Sequence, residues 1–102
     1  FPGIELHLGG AHTPGTQYIN IETADGRVVI AGDITYLYEN NRRHRPIGVC
    51  VDPQENLATI RKLHSQAATP FLMIPGHDPQ VMEWFPKVQE GVVQISTIDP
   101  QL

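Results

Sequence analysis

Apolar and polar residues alternate in two stretches near the start of the chain, and this pattern predicts two β-strands. In Ile4 to Leu8 the three apolar residues share one face, which we expect to be buried, so His7 should point away from the core. The stretch 17–23 alternates again, and the following Asp25-Gly26 step predicts a hairpin with the apolar stretch 28–31. Because that returning strand is apolar throughout, we expect a central strand covered on both faces.

A helix is predicted in the middle of the chain, where Asp52 occupies the position of an N-cap and Pro53 the first helical position. Upstream, Ile34 to Tyr38 is predicted as a short helical turn capped by Asp33, followed by a polar loop over residues 39–46. The helix should run to about Ala68, with a buried stripe formed by Leu57, Ile60, Leu63, His64 and Ala67.

The last third of the chain predicts only short elements. Phe71 to Ile74 is too short for a helix and is predicted as a buried strand, and Gln80 to Phe85 as a short helix ended by Pro86. Residues 92–98 could add a last strand or form an extended tail. This order of strands and helices favours a mixed α/β fold of one small domain, which suits a length of 102 residues.

Composition limits the functional classes. The chain has 7 basic and 11 acidic residues and a formal net charge of −4, which argues against a nucleic-acid partner. No apolar run is long enough to span a bilayer, so we expect no membrane partner. A single cysteine excludes an internal disulfide and is typical of a reducing compartment, which favours a cytoplasmic location. Since Phe1-Pro2-Gly3 leads directly into a strand, without an initiator methionine, we expect the sequence to be part of a longer protein.

Three turns carry candidate metal ligands. His12 lies in the glycine-rich stretch 9–17, directly before the sequence Thr13-Pro14-Gly15-Thr16, which favours a type II turn. Asp33 and His77 each follow an apolar strand that ends in a glycine turn. Imidazole and carboxylate groups are the usual nitrogen and oxygen ligands of zinc and similar divalent ions. We therefore predict that His12, Asp33 and His77 converge at one end of the sheet and bind metal.

Each of these residues also has an ordinary structural explanation, because a loop histidine is usually solvated and Asp33 alone would suit a helix cap. Asp78 could orient the His77 imidazole or cap the short helix that follows it. Structural or solvated roles are favoured for the remaining candidates, although the arginines could contact an anionic partner. These candidates are His7, His44, His64, Cys50, Arg42, Arg43 and Arg45.

Three short motifs, Gly10 to Gly15, Ala31 to Asp33 and Gly76 to Asp78, occur in an order that resembles the C-terminal half of the metallo-β-lactamase superfamily. The resemblance covers nearly the whole chain. Within the superfamily, the stretch from Asp33 to Tyr36 looks most like the N-acyl homoserine lactone lactonases, which have a tyrosine three residues after a bridging aspartate.

The resemblance implies that residues 1–102 form half of a metallo-β-lactamase-type αββα sandwich, a mixed sheet with flanking helices. It also implies two divalent metal ions, with zinc expected: His12 would bind one, His77 the other, and Asp33 would bridge them. A hydroxide held between the ions would open a lactone ring, and Tyr36 would donate a hydrogen bond to the substrate carbonyl or oxyanion. Alternatively, Tyr36 is an amphipathic residue at the rim of the core.

The superfamily's His-x-His-x-Asp-His segment belongs to its first half and does not occur in this sequence. Each ion would then receive two protein ligands, whereas a catalytic zinc ion usually has three. We therefore expect no activity without an N-terminal half, supplied as a separate chain or a nicked segment. The expected substrate is a small-molecule lactone or ester. A thioester, as in the glyoxalase II type, and a non-catalytic fragment or interaction module are the alternative interpretations.

Overall fold

The computed structural model describes residues 1–95, and its main element is a four-stranded sheet. Its strands are β1 (Ile4–Leu8), β2 (Gln17–Thr23), β3 (Gly26–Gly32) and β4 (Met73–Pro75), which lie in the order β1-β2-β3-β4. The first three strands are antiparallel and β4 is parallel to β3. The predicted hairpin is therefore confirmed, and β3 is an inner strand as expected.

Helices and one small hairpin complete the mixed α/β arrangement predicted from the sequence. They are α1 (Tyr38–Arg43), α2 (Pro53–Gln66), α3 (Gln80–Trp84), and β5 (Lys87–Gln89) paired with β6 (Val92–Val93). As predicted, Asp52 begins α2, since its carboxylate accepts hydrogen bonds from the N–H groups of Gln54 and Glu55, both at 3.1 Å. Residues 96–98 of the possible last strand lie outside the described residues. None of the helices in residues 1–95 is long and apolar enough to cross a membrane.

Helix α2 covers one face of the sheet and closes the main core. Ile60 and Leu63 are fully buried, as predicted, and pack in one cluster with residues of β2, β3 and β4. The sheet and loop members of this cluster are Tyr18, Val29, Ala31, Ile34 and Met73. Burial of these side chains supplies the main apolar contribution to the stability of this face.

The opposite face carries an open row of apolar residues. Leu6, Ile19, Ile30 and Ile74 lie in direct register across the four strands, and Leu6 is 64% exposed. The prediction that the apolar face of β1 is buried was therefore wrong. His7 instead points to the side of α2, where its ring stacks on Tyr18 at 5.1 Å between centroids. The expectation that β3 is covered on both faces holds only near Val28. Further along the strand, Ile30 is 37% exposed.

The segment after Asp33 also differs from its prediction. Residues 34–37 form turns and not a helix, whereas most of the predicted polar loop lies in α1. The Asn40 carboxamide oxygen accepts a hydrogen bond from the Leu37 N–H at 3.0 Å, so Asn40 and not Asp33 serves the start of this helix. The predicted strand over Phe71 to Ile74 is shorter than expected, because residues 70–72 form a single turn of 3₁₀ helix.

A buried tyrosine joins α1 to the end of the sheet. Tyr38 donates its hydroxyl hydrogen to the Phe71 carbonyl at 2.9 Å and its N–H to Asp78 Oδ2 at 2.9 Å. Its ring packs against Trp84 at 4.7 Å between centroids. Burial, and secondly the negative charge of Asp78, raise the pKa of Tyr38 far above its ordinary value of 10.0.

We expect Tyr38 to make the folded protein sensitive to alkali. Because its pKa is raised in the folded state, its contribution to stability is complete below pH 10 and is lost as pH rises from there towards the folded-state pKa. The free energy of unfolding should fall by up to about 1.4 kcal/mol per pH unit from this group. Tyr38→Phe should remove that component at a cost of about 1 kcal/mol at neutral pH. Urea unfolding of both proteins between pH 9 and 11 measures it, and identical pH slopes would contradict the prediction.

Candidate metal centre

The carboxylate of Asp33 lies between two imidazoles. His77 Nε2 is 2.7 Å from Asp33 Oδ1, and His12 Nε2 is 3.7 Å from Asp33 Oδ2. Each carboxylate oxygen therefore has its own histidine. The structure brings the three predicted residues together at one end of the sheet, where β3 and β4 end and β2 begins.

Tyr36 lies against both histidines. Its ring centroid is 4.9 Å from that of His77 and 6.0 Å from that of His12, with edge-on geometry in both contacts. The tyrosine is half-buried. Its position beside the two imidazoles is compatible with a role towards a ligand bound at Asp33 and also with a role at the rim of the core.

Parallel pairing of β3 with β4 places Asp33 beside His77. Gly32 is the register partner of Pro75, so both strands end at the same edge of the sheet. Beyond the strands, the Gly76 N–H donates to the Thr35 carbonyl at 2.9 Å and the His77 N–H to the Tyr36 carbonyl at 3.0 Å. These backbone hydrogen bonds hold the two turns against each other.

The loop that carries His12 is held from the other side by the segment before α2. His12 Nδ1 lies 2.6 Å from the Val49 carbonyl oxygen, and since a carbonyl can only accept, Nδ1 carries the proton. In the neutral ring this leaves the lone pair on Nε2, the nitrogen that faces Asp33. A second hydrogen bond, from the Val51 N–H to the Ala11 carbonyl at 2.8 Å, fixes the loop one residue earlier.

The turn after His12 forms, although not as the predicted type. The Thr16 N–H donates to the Thr13 carbonyl at 3.2 Å, and the Thr13 and Thr16 hydroxyls are 2.8 Å apart. Gly15 does not have the positive φ that a type II turn requires, so this prediction was wrong in detail. The positive φ angles instead lie before the histidine, at Gly10 and Ala11.

The donor atoms of this cluster suit a shared metal site in part. Two imidazole nitrogens and a carboxylate whose oxygens face them separately are the groups that bind zinc-like ions, and the Nδ1 hydrogen bond of His12 is typical of a ligating histidine. However, within residues 1–95 no three His, Cys, Asp or Glu side chains are arranged to hold one ion. The cluster instead forms two pairs of donor atoms, each with one imidazole nitrogen and one oxygen of the Asp33 carboxylate.

Four of the remaining candidates, Asp78, His44, His64 and Cys50, make contacts within the fold. Asp78 caps the turn into α3, because its Oδ1 accepts a hydrogen bond from the Gln80 N–H at 2.9 Å and its Oδ2 is used by Tyr38. Asp78 therefore contacts the start of α3, as in the second of its two alternatives, although the N-cap position itself is occupied by Pro79. His44 and His64 pack against each other at 5.2 Å between ring centroids, and the Cys50 sulfur lies 3.5 Å from the Ile47 carbonyl.

The sequence patterns missed Asn56, which is fully buried in α2 and contacts two of the site loops. A signal for it existed, because Asn56 stands four residues before Ile60 and so continues the buried stripe of the helix towards its N-terminus. A polar residue on such a stripe is buried only if its hydrogen bonds are satisfied.

Most of the chain is similar in structure to parts of other solved proteins. The chain matches an N-acyl homoserine lactone hydrolase with its product, N-hexanoyl-L-homoserine, bound at the catalytic metal centre, with 28% identity and a TM-score of 0.67 over 81% of the chain. It matches a variant of AiiA from B. thuringiensis, with N-decanoyl-L-homoserine bound at the active site, with the same identity, TM-score and coverage. The chain also matches a third solved structure, from a study of the indirect contributions of mutations to the optimisation of new enzyme function. The identity is 26% and the TM-score 0.69 over 86% of the chain.

The chain spans about a third of these solved proteins, 34% of the first two and 35% of the third. No protein-family model and no curated protein sequence matches it. The mixed sheet and its helices form part of a metallo-β-lactamase fold. Within that fold, the resemblance to N-acyl homoserine lactone lactonases predicted from the motifs is confirmed.

Gly76 offers a direct test of how Asp33 and His77 are held together. A methyl group at this position would lie 2.5 Å from the Gly32 carbonyl oxygen and 3.5 Å from Asp33 Oδ1. We expect Gly76→Ala to push the two turns apart and to lower the free energy of unfolding by about 1–3 kcal/mol. Gly48→Ala is the matched control, because a methyl group there meets no atom within 4 Å. Thermal unfolding measures the difference, and equal stability of the two variants would contradict the prediction.

Proposed function

We propose that this chain supplies part of the active site of a metal-dependent hydrolase that opens N-acyl homoserine lactone-type rings. The observation that carries the proposal is the carboxylate of Asp33, which faces His77 with one oxygen and His12 with the other. The similarity to lactone hydrolases, one of them with product at a catalytic metal centre, supports the same function.

In this proposal His12 and His77 would each hold one of two divalent ions and the Asp33 carboxylate would serve both, with zinc as the expected metal. When bound, such ions would supply a water-derived nucleophile at neutral pH and would polarise the lactone carbonyl. The protein's part is to fix the ligands: the Val49 carbonyl sets the tautomer of His12, and backbone hydrogen bonds set His77 beside Tyr36. Two donors for each ion are fewer than the usual three, so in this proposal further ligands come from outside residues 1–95.

Tyr36 is proposed to bind the reacting carbonyl of the substrate. In ring opening, water adds to the carbonyl carbon, the ring C–O bond breaks and the ring oxygen leaves as an alcohol. Negative charge develops on the carbonyl oxygen before that bond breaks, and a phenolic O–H beside it would stabilise the charge. The edge contacts of Tyr36 with His12 and His77 put its ring next to both proposed metal ligands.

We further propose that the chain is the C-terminal half of the fold and that an N-terminal half, as a separate chain or a nicked segment, completes it. The row of Leu6, Ile19, Ile30 and Ile74 supports this proposal, because Leu6 and Ile30 are exposed, the other two are only partly buried, and an exposed apolar face is a common site of association. The lactone hydrolases are about three times as long as the matched region. The rest of such a fold would both cover this face and add metal ligands.

We expect Tyr36→Phe to reduce lactone opening by about 10²- to 10³-fold in the completed protein, because one hydrogen-bond donor to the developing oxyanion is lost. Zinc content should not change, since the hydroxyl is not a proposed ligand. The measurement is kcat/KM with an acyl homoserine lactone, together with metal analysis of both proteins. Unchanged lactone kinetics would remove Tyr36 from the site. Faster hydrolysis of a thioester than of the lactone would contradict the proposed substrate.

Association through the open face can be tested at Leu6. We expect Leu6→Gln to weaken binding of the N-terminal half by about 10- to 100-fold, which corresponds to burial of one leucine side chain. Val88→Gln is the control, because Val88 is similarly exposed but lies on β5, outside the row. Titration calorimetry with the separately produced N-terminal half measures both variants. Equal affinities would contradict the assignment of this face.

A further inference from the structure

One buried side chain connects the loops that carry His12 and Asp33. Asn56 is 0% exposed, and its Nδ2 donates to the Gly10 carbonyl at 2.6 Å and to the Ile34 carbonyl at 2.9 Å. Its Oδ1 accepts a hydrogen bond from the Ile47 N–H at 3.0 Å. Both hydrogens of the carboxamide and its oxygen are therefore used, and all three partners are backbone groups.

These three partners flank the candidate metal centre. Gly10 stands two residues before His12, and Ile34 directly follows Asp33. Ile47 stands two residues before Val49, whose carbonyl accepts the Nδ1 hydrogen bond of His12. The Asn56 side chain thus contacts the loop that carries His12, the loop that carries Asp33 and the segment whose carbonyl orients the His12 ring.

Apolar packing at the same point leaves little freedom between the two loops. Gly10 has a φ of +100°, and a methyl group there would overlap the side chain of Ile34. The His12 loop therefore contacts the Asp33 loop directly, with Ile34 in the space that a side chain at position 10 would need. Without the Asn56 carboxamide, two carbonyl groups and one N–H at this contact would be buried without partners, which disfavours the arrangement.

We propose that Asn56 is a positioning residue that sets the position of His12 relative to Asp33. The consequence for metal binding rests on the function proposed above, whereas the geometric effect does not. Asn41 shows the contrast: it is also buried, but its hydrogen bonds run to Thr35 and Met73, and neither group belongs to the His12 loop.

Asn56→Asp is the sharpest variant, because it keeps the shape and the acceptor for the Ile47 N–H but replaces the donor to two carbonyls with an oxygen. Asn56→Ser is the milder second variant, in case the first does not fold. In the completed protein we expect Zn²⁺ affinity, measured by competition with a chelator, to fall by about 10- to 100-fold, as for other residues that orient metal ligands. Leu63→Ala, in the same helix and also buried, should destabilise the fold without this loss.

Amide hydrogen exchange provides a readout that needs no metal. The Val51 N–H donates to the Ala11 carbonyl, next to His12, so its exchange should accelerate in the Asn56 variants and not in Leu63→Ala at matched global stability. If the unchanged protein binds no Zn²⁺ but Val51 responds in this way, the proposed function fails and the positioning role stands. If Val51 exchange is the same in the Asn56 and Leu63 variants, or Zn²⁺ affinity falls equally in both, the positioning role is overturned.

Discussion

The contact between the backbones of Gly32 and Gly76 is the constraint on which the site depends. Gly32 ends β3 and Gly76 directly follows β4, and their backbones lie so close together that a methyl group added at Gly76 would collide with the Gly32 carbonyl oxygen. Asp33 and His77 are the next residues along each segment. Because the strands are parallel, both side chains leave the sheet at the same edge, and the near contact of the glycines brings a carboxylate oxygen within 2.7 Å of an imidazole nitrogen.

Backbone hydrogen bonds and one buried carboxamide hold the loops around that contact. His12 comes from a different connection, between β1 and β2, which the antiparallel pairing of β2 with β3 brings to the same edge of the sheet without fixing the position of the loop. The segment before α2 does this instead, through the Val49 carbonyl and the Val51 N–H, and Asn56 joins this segment to the other two loops. The proposed metal centre would require ligands fixed to within fractions of an ångström, and the buried hydrogen bonds of Asn56 meet that requirement better than a solvated loop would.

The two faces of the sheet are covered to different extents. Helix α2 covers the side of Tyr18, Val29 and Met73, and these residues are almost fully buried. On the face that carries Leu6 and Ile30, α3 and the β5–β6 hairpin cover only the end near Val28, where Phe85 packs. A chain that spans about a third of the similar lactone hydrolases accordingly combines a formed core with a partly exposed apolar face.

The sequence by itself determined the features that depend on neighbours along the chain. The Asp25-Gly26 hairpin, the start of α2 at Asp52 and the three turns that present His12, Asp33 and His77 follow from local conformational preferences, and the structure has all of them. Only the tertiary structure decided which face of β1 is covered, because alternation defines two faces but not which of them meets a helix. The tertiary structure also decided that Asp33 does not cap a helix and that Asn56 is buried. The partners of Asn56 lie up to 46 residues away in the chain, and such long-range contacts form only when the fold brings the segments together.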